Sequence, residues 1–114
     1  MQRRNRLSRS RDFDAVYRRG RSVATRYLIL HWFEREEEDD GPPRLGIAVP
    51  RAIGTAVVRN RIKRQLREAW RASPPDAPCD YVLKVRPGLA EAVETRGFDW
   101  LKERVAEVLG KASA

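Results

Sequence analysis

The sequence predicts one α/β domain in which three helices pack as a sandwich on a small central sheet of about four strands. Segments with helical periodicity alternate with short runs of branched and aromatic residues, and Gly or Pro separates them. The chain has 114 residues, which is enough for one modest core. We therefore expect residues 1–114 to form a single domain with the element order αβββαβα.

The first helix is predicted over residues 11–19, after a basic arm formed by residues 1–9. Ser10 is a suitable N-cap, and Gly20 is suited to end the helix. The composition of residues 22–33 then favours a strand, with a short extra strand near Val23. Residues 26–33 are apolar on both faces, so we expect both faces of this strand to be covered.

Residues 34–43 hold six acidic side chains and end in Gly41-Pro42-Pro43, and this composition predicts a mobile acidic hairpin loop. The next predicted strand covers residues 44–49, and its side chains alternate between large and small. Leu45, Ile47 and Val49 share one face, and small residues occupy the other. The small face admits a closely packed helix or a ligand backbone.

The most informative segment is a basic amphipathic helix over residues 56–71. Apolar side chains recur at helical spacing along one face: Val58, Ile62, Leu66, Ala69 and Trp70. Six Arg or Lys residues fall between positions 59 and 71 and lie mainly on the opposite side. One face therefore packs on a core, and the other presents a stripe of cations suited to a polyanion.

Residues 73–78 are rich in Pro and end this helix. A strand over residues 81–86 follows, with Lys84 and Arg86 on the face shared by Val82. The last predicted element is one helix over residues 93–109. Its inward positions are Phe98, Leu101, Val105 and Val108.

The charge balance favours a nucleic-acid partner. The net charge is +8 and the isoelectric point is near 10.5. Basic residues are concentrated in two blocks, residues 1–33 and 44–71, which suggests a shared surface. Cys79 is the only cysteine and His31 the only histidine, so the chain offers neither an internal disulfide nor a two-histidine nuclease site. The sequence has no apolar run of membrane-spanning length, and we expect a cytosolic protein.

The segment from Gly54 to Arg64, with its Arg59-Asn60-Arg61 motif, resembles the protein component of bacterial ribonuclease P. The likeness extends in order along nearly the whole chain. It includes Asp12-Phe13 and Gly20 near the start, Arg44-Leu45-Gly46-Ile47 in the middle, and Arg86-Pro87-Gly88 near the end. The resemblance implies a left-handed crossover through the basic helix between two parallel strands. It also implies the function: assisting a catalytic RNA that cuts the 5′ leader from precursor tRNA.

The resemblance assigns residues to two surfaces. The basic helix would bind the RNA subunit through Arg59, Asn60, Arg61, Lys63, Arg64 and Arg67. A cleft between the first helix and the sheet would hold the single-stranded leader through Phe13, Tyr17, His31 and Arg51. His31 stands at a position where the family has an aromatic residue, and Ala52 stands where it usually has a cation.

No residue of this chain is predicted to be catalytic. Magnesium is expected to act through the RNA subunit, and the expected partners are that RNA and precursor tRNA, with no required protein partner. The run Glu36–Asp40 is better explained as a solvated loop than as a metal site. Two alternatives stay open: a non-catalytic RNA-binding protein such as a ribosomal protein, and a helix-turn-helix DNA-binding protein. The Pro-rich loop and strand after the basic helix fit the latter poorly.

Overall fold

In the described part of the chain, four strands form one mixed sheet, and four α-helices pack around it. The computed structural model describes residues 10–35, 43–75, 77 and 79–113, so the predicted basic arm and most of the acidic loop lie outside the described residues. The strands are β1 (Arg21–Ala24), β2 (Leu28–Glu34), β3 (Arg44–Ala48) and β4 (Cys79–Val85). The helices are α1 (Ser10–Arg19), α2 (Ala56–Ala72), α3 (Leu89–Arg96) and α4 (Phe98–Ser113), and a short 3₁₀ helix spans Arg51–Ile53.

The strand order in the sheet is β1-β2-β4-β3. β2 is antiparallel to both β1 and β4, whereas β3 is parallel to β4. Helix α2 therefore joins two adjacent parallel strands, as the predicted crossover requires. The predicted hairpin over residues 34–43 is wrong, because β4 lies between β2 and β3 and pairs with both.

The larger core lies on the face of the sheet that α2, α3 and α4 cover. β4 contributes Leu83 and Val85, and β2 contributes Leu28 and Leu30, all almost fully buried. Helices α2 and α4 supply the apolar side chains that pack on them: Ile62, Leu66, Ala69, Trp70, Leu101, Val105 and Val108. Burial of these groups is the main source of stability.

Helix α1 covers the opposite face of the sheet. Val16 and Val82 are buried there, and Phe13, Phe33 and Ala48 pack against them. The small residue Ala48 thus admits a closely packed helix, as the alternation along β3 predicts. The end of α1 is pressed against β2, because a Cβ atom on Gly20 would overlap the carbonyl oxygens of Val16 and Trp32.

The predicted last helix is two helices. Gly97 separates α3 from α4 with a φ of 88°, a left-handed conformation that glycine adopts readily. Phe98 begins α4 and is 40% exposed, so its predicted inward position is wrong, whereas Leu101, Val105 and Val108 are buried as predicted. No helix in the described part of the chain is long and apolar enough to cross a membrane.

A buried carboxylate near the start of β4 pairs with the first residue of β3. Asp80 is 6% exposed, and its carboxylate oxygens accept hydrogen bonds from Arg44 Nε at 2.8 Å and Nη2 at 2.7 Å. Arg35 Nε lies 3.8 Å from the same carboxylate. This bidentate ion pair fixes the register of β3 against β4 at one end of the sheet.

Candidate nucleic-acid interface

Helix α2 presents the first candidate surface because its sequence separates apolar from charged side chains. Thr55 caps the helix, and its hydroxyl oxygen accepts a hydrogen bond from Val58 N at 3.3 Å. The buried residues of α2 are Ile62, Leu66, Ala69 and Trp70, as the sequence predicts. Packing of this face fixes the rotation of the helix and therefore the direction in which its cations point.

The six α2 residues predicted to bind RNA all retain contact with solvent. Asn60, Arg61 and Arg64 are exposed, and Arg59, Lys63 and Arg67 are partly exposed. We call this set the α2 cationic face. Solvent-accessible guanidinium and ammonium groups on a rigid helix suit contacts to RNA phosphates and riboses.

Acidic partners hold some cations of α2. Arg61 Nη2 lies 2.8 Å from Glu94 Oε1 on α3, and both side chains are well exposed. Arg71 forms a longer pair with Glu68 at 3.7 Å on the same helix. Exposed pairs of this kind contribute little to stability, so a phosphate can replace the carboxylate at small cost. The sequence did not reveal the Arg61–Glu94 pair, because it joins residues from different helices.

Arg59 has an unsatisfied donor. Its Nε atom is buried and has no hydrogen-bond partner within the described part of the chain. A buried donor without an acceptor costs free energy. An acceptor supplied by a bound ligand would recover that cost.

The second candidate surface is a cluster of three rings between α1 and β2. The ring centroids of Phe13 and Tyr17 are 6.4 Å apart, and those of Tyr17 and His31 are 4.8 Å apart in an edge-to-face arrangement. Both distances fall in the range of favourable ring contacts. Tyr17 is 42% exposed, and Phe13 and His31 are partly exposed. We call Phe13, Tyr17 and His31 the aromatic cleft.

The environment of the aromatic cleft keeps both titratable rings neutral. Burial lowers the pKa of His31, and the positive charge of Lys84 lowers it further. Burial raises the pKa of Tyr17, and the carboxylate of Asp14 adds to the rise. His31 therefore offers an uncharged ring at neutral pH, which suits stacking on a base and supplies no positive charge.

Arg51, the fourth residue predicted for the leader cleft, is exposed on the 3₁₀ helix that follows β3. Among the described contacts, no cation–π contact joins it to Phe13, Tyr17 or His31. Because β3 and β4 are parallel, Arg51 lies at the end of the sheet where both strands finish. Helix α2 begins at the same end, and it packs on the face of the sheet opposite to α1 and the aromatic cleft.

The described residues offer no evident metal centre. In residues 10–35, 43–75, 77 and 79–113, no group of three or more His, Cys, Asp or Glu side chains is placed to hold a metal ion. The acidic run Glu36–Asp40 lies outside these ranges. Cys79 is buried, and burial raises the pKa of its thiol, which suits a structural cysteine.

Comparison with known proteins agrees with the motifs in the sequence. A profile of the family described as Ribonuclease P matches residues 1–113. A "Ribonuclease P protein component" from Brevibacillus brevis is 36% identical over 98% of this chain and 86% of its own length. A protein of the same name from an Exiguobacterium species is 39% identical over 90% of this chain and 88% of its own length. The solved structure of the ribonuclease P protein from Thermotoga maritima superposes with a TM-score of 0.81. It is 30% identical and covers 93% of this chain and 96% of that one.

Proposed function

The chain belongs to the ribonuclease P protein family, whose members are components of the endoribonuclease that processes tRNA 5′ ends, and we propose how this member serves that enzyme. In this proposal the α2 cationic face binds the catalytic RNA subunit. The aromatic cleft binds the 5′ leader of precursor tRNA. The solvent-accessible cations on one rigid helix are the observation that carries the proposal.

Several properties of α2 support its assignment to the RNA subunit. Its buried side is anchored in the larger core, so its outer side is held in one orientation. Arg and Lys contacts to phosphates position a structured RNA without reading its sequence. Arg59 also carries a buried donor that a phosphate or ribose oxygen can satisfy.

The aromatic cleft supports the assignment to the leader. Bases stack on aromatic rings with about 1–3 kcal/mol each and with little regard to sequence. Such tolerance is what an enzyme needs if it processes precursors with many different leaders.

Bond breaking is assigned to the RNA subunit in this proposal. His31 serves here as a stacking ring, since it packs edge-to-face on Tyr17. Magnesium is likewise assigned to the RNA. The protein contributes by binding and orienting the substrate.

Reconstitution with a folded bacterial ribonuclease P RNA tests the proposal. The protein alone should leave precursor tRNA intact. Protein added to the RNA at low magnesium should accelerate cleavage, and the gain should be greater for a leader of several nucleotides than for one nucleotide. Absence of stimulation, or efficient cleavage by the protein alone, would refute the proposal.

The alternative of a ribosomal protein is not favoured, since the matching family covers residues 1–113 and consists of ribonuclease P proteins. A ribosomal protein also has no need for an aromatic cleft that holds a single strand. If the reconstituted complex bound precursor and mature tRNA with equal affinity, the result would favour the ribosomal-protein alternative.

A further inference from the structure

Lys84 lies on the same face of the sheet as the aromatic cleft. It is on β4, two residues from Val82, and Val82 packs under α1. Side chains two residues apart on a strand point to the same side and are roughly 7 Å apart. Its pairing partners across the sheet are Ile29 on β2 and Ala48 on β3. Lys84 therefore lies on an inner strand, near the carboxyl end of β4, and is diagonal to His31 across the pairing with β2.

The side chain of Lys84 is exposed although β4 is an inner strand of the sheet. β4 is the most buried strand, and Lys84 is its only exposed residue. Among the described residues no carboxylate forms an ion pair with it. Its charge does reach His31, where it contributes to the lowered pKa. An exposed cation beside the rings, on a strand that is otherwise buried, is available to an anionic ligand that crosses this face.

Among the described residues, no cation stacks on the three rings of the aromatic cleft. His31 is neutral, and Arg51 lies on the 3₁₀ helix that follows β3. A single strand stacked on Phe13 and Tyr17 carries one phosphate per nucleotide, and grooves that bind single strands combine rings with cations. Lys84 is the cation whose charge acts on His31.

We propose that Lys84 is a positioning residue that binds one phosphate of the 5′ leader and sets the path of the leader across the aromatic cleft. This inference rests on the proposed function of the cleft. The ammonium group acts as a point charge on a flexible stem, so it can follow the backbone of any leader sequence.

The test uses the holoenzyme reconstituted from this protein and a bacterial ribonuclease P RNA. The variant Lys84→Gln removes the charge, Lys84→Arg retains it, and Lys102→Gln on the outer surface of α4 is the matched control. The ratio of affinities for leader-bearing and mature tRNA is measured for each. We expect Lys84→Gln to lower this ratio about tenfold, as loss of a charge-assisted contact does. Lys84→Arg should restore most of the ratio, and Lys102→Gln should leave it unchanged.

A second measurement locates the phosphate. Leaders that carry one uncharged methylphosphonate linkage are bound by the unaltered protein and by Lys84→Gln. One linkage should weaken binding to the unaltered protein and have no further effect on Lys84→Gln. Additive losses at every linkage would overturn the inference.

The variant Phe13→Ala separates failure of the inference from failure of the proposed function. If Phe13→Ala lowers the ratio and Lys84→Gln does not, the cleft binds the leader and Lys84 has no part in it. If neither variant lowers the ratio, the leader does not bind in the cleft. The proposed function of the cleft and the role of Lys84 are then both wrong. Circular dichroism of each variant establishes that it is folded.

Discussion

The two faces of the sheet are built for different purposes. On one face α2, α3 and α4 bury a continuous apolar core against β2, β3 and β4. On the other, α1 covers only part of the sheet, and among the described residues Val16 and Val82 alone form the buried cluster there. The open part of that face holds the rings and Lys84. Stability is therefore concentrated on the first face, which leaves the second free to bind a ligand.

The largest expected effect is on stability, at the larger core. Leu83 is fully buried, so Leu83→Ala should lower the free energy of unfolding by about 2–5 kcal/mol. Ile29→Ala on the open face is the comparison, and because Ile29 is only partly buried it should cost about 1 kcal/mol. Urea denaturation measures both. Equal decreases in the free energy of unfolding for the two variants would mean that both faces of the sheet contribute equally to stability.

Gly20 tests how closely α1 must approach the sheet. A Cβ atom there overlaps backbone carbonyl oxygens that cannot rotate away, so Gly20→Ala should cost about 1–3 kcal/mol and displace the end of α1. The matched control is Gly110→Ala in α4, where a Cβ meets open space. Helix propensity predicts that this control stabilises the protein by about 0.5–1 kcal/mol. Similar unfolding midpoints for the two variants would contradict the close packing of α1.

Phe13 should matter more for binding than for folding. Phe13→Ala removes one stacking ring, which is worth about 1–3 kcal/mol of affinity for the leader. The reduced affinity should appear with precursor tRNA and not with mature tRNA in equilibrium binding to the holoenzyme. Phe98→Ala, an exposed ring at the start of α4 and outside the cleft, is the control. Equal reductions for precursor and mature tRNA would remove the leader from the aromatic cleft.

His31 should give the smallest effect, a weak dependence of stability on pH. Its pKa is lowered in the folded protein, so the unfolded chain binds the proton more readily. Stability should fall as the pH drops through the ordinary histidine pKa of about 6.5 and should level off below the folded pKa. Denaturation midpoints at several pH values measure this. The slope in that window should be smaller for His31→Gln, and an identical slope would mean that other groups cause it.

The sequence predicts the buried face of single helices and strands well. The spacing of apolar residues along each element shows which of its faces packs on the core. The alternation along residues 44–49 anticipated both faces of β3, and the spacing from Val58 to Trp70 anticipated the buried side of α2. The break at Gly97 was missed, because apolar spacing continues across it. A glycine at that point was the available signal.

The order of the strands in the sheet could not be predicted from the residues of each strand and its neighbouring loops. Nothing in residues 34–43 indicates that β4, more than thirty residues later, inserts between β2 and β3. The position of Lys84 relative to the rings could not be predicted for the same reason. The alternation along residues 81–86 puts Lys84 on the other face of the strand from Tyr81 and Leu83. Only the pairing of β4 with β2 brings it beside His31. Site residues that depend on long-range pairing need the structure.

The most direct test of the central claim is the salt dependence of binding between the protein and the RNA subunit. We predict that replacing Arg61, Arg64 and Arg67 together by Ala weakens binding. It should also reduce the slope of log K against log salt concentration by about one unit for each phosphate that is no longer neutralised. The control Lys102→Gln should retain the full slope. An unchanged slope in the triple variant, with the fold intact, would contradict the assignment of the α2 cationic face to the RNA.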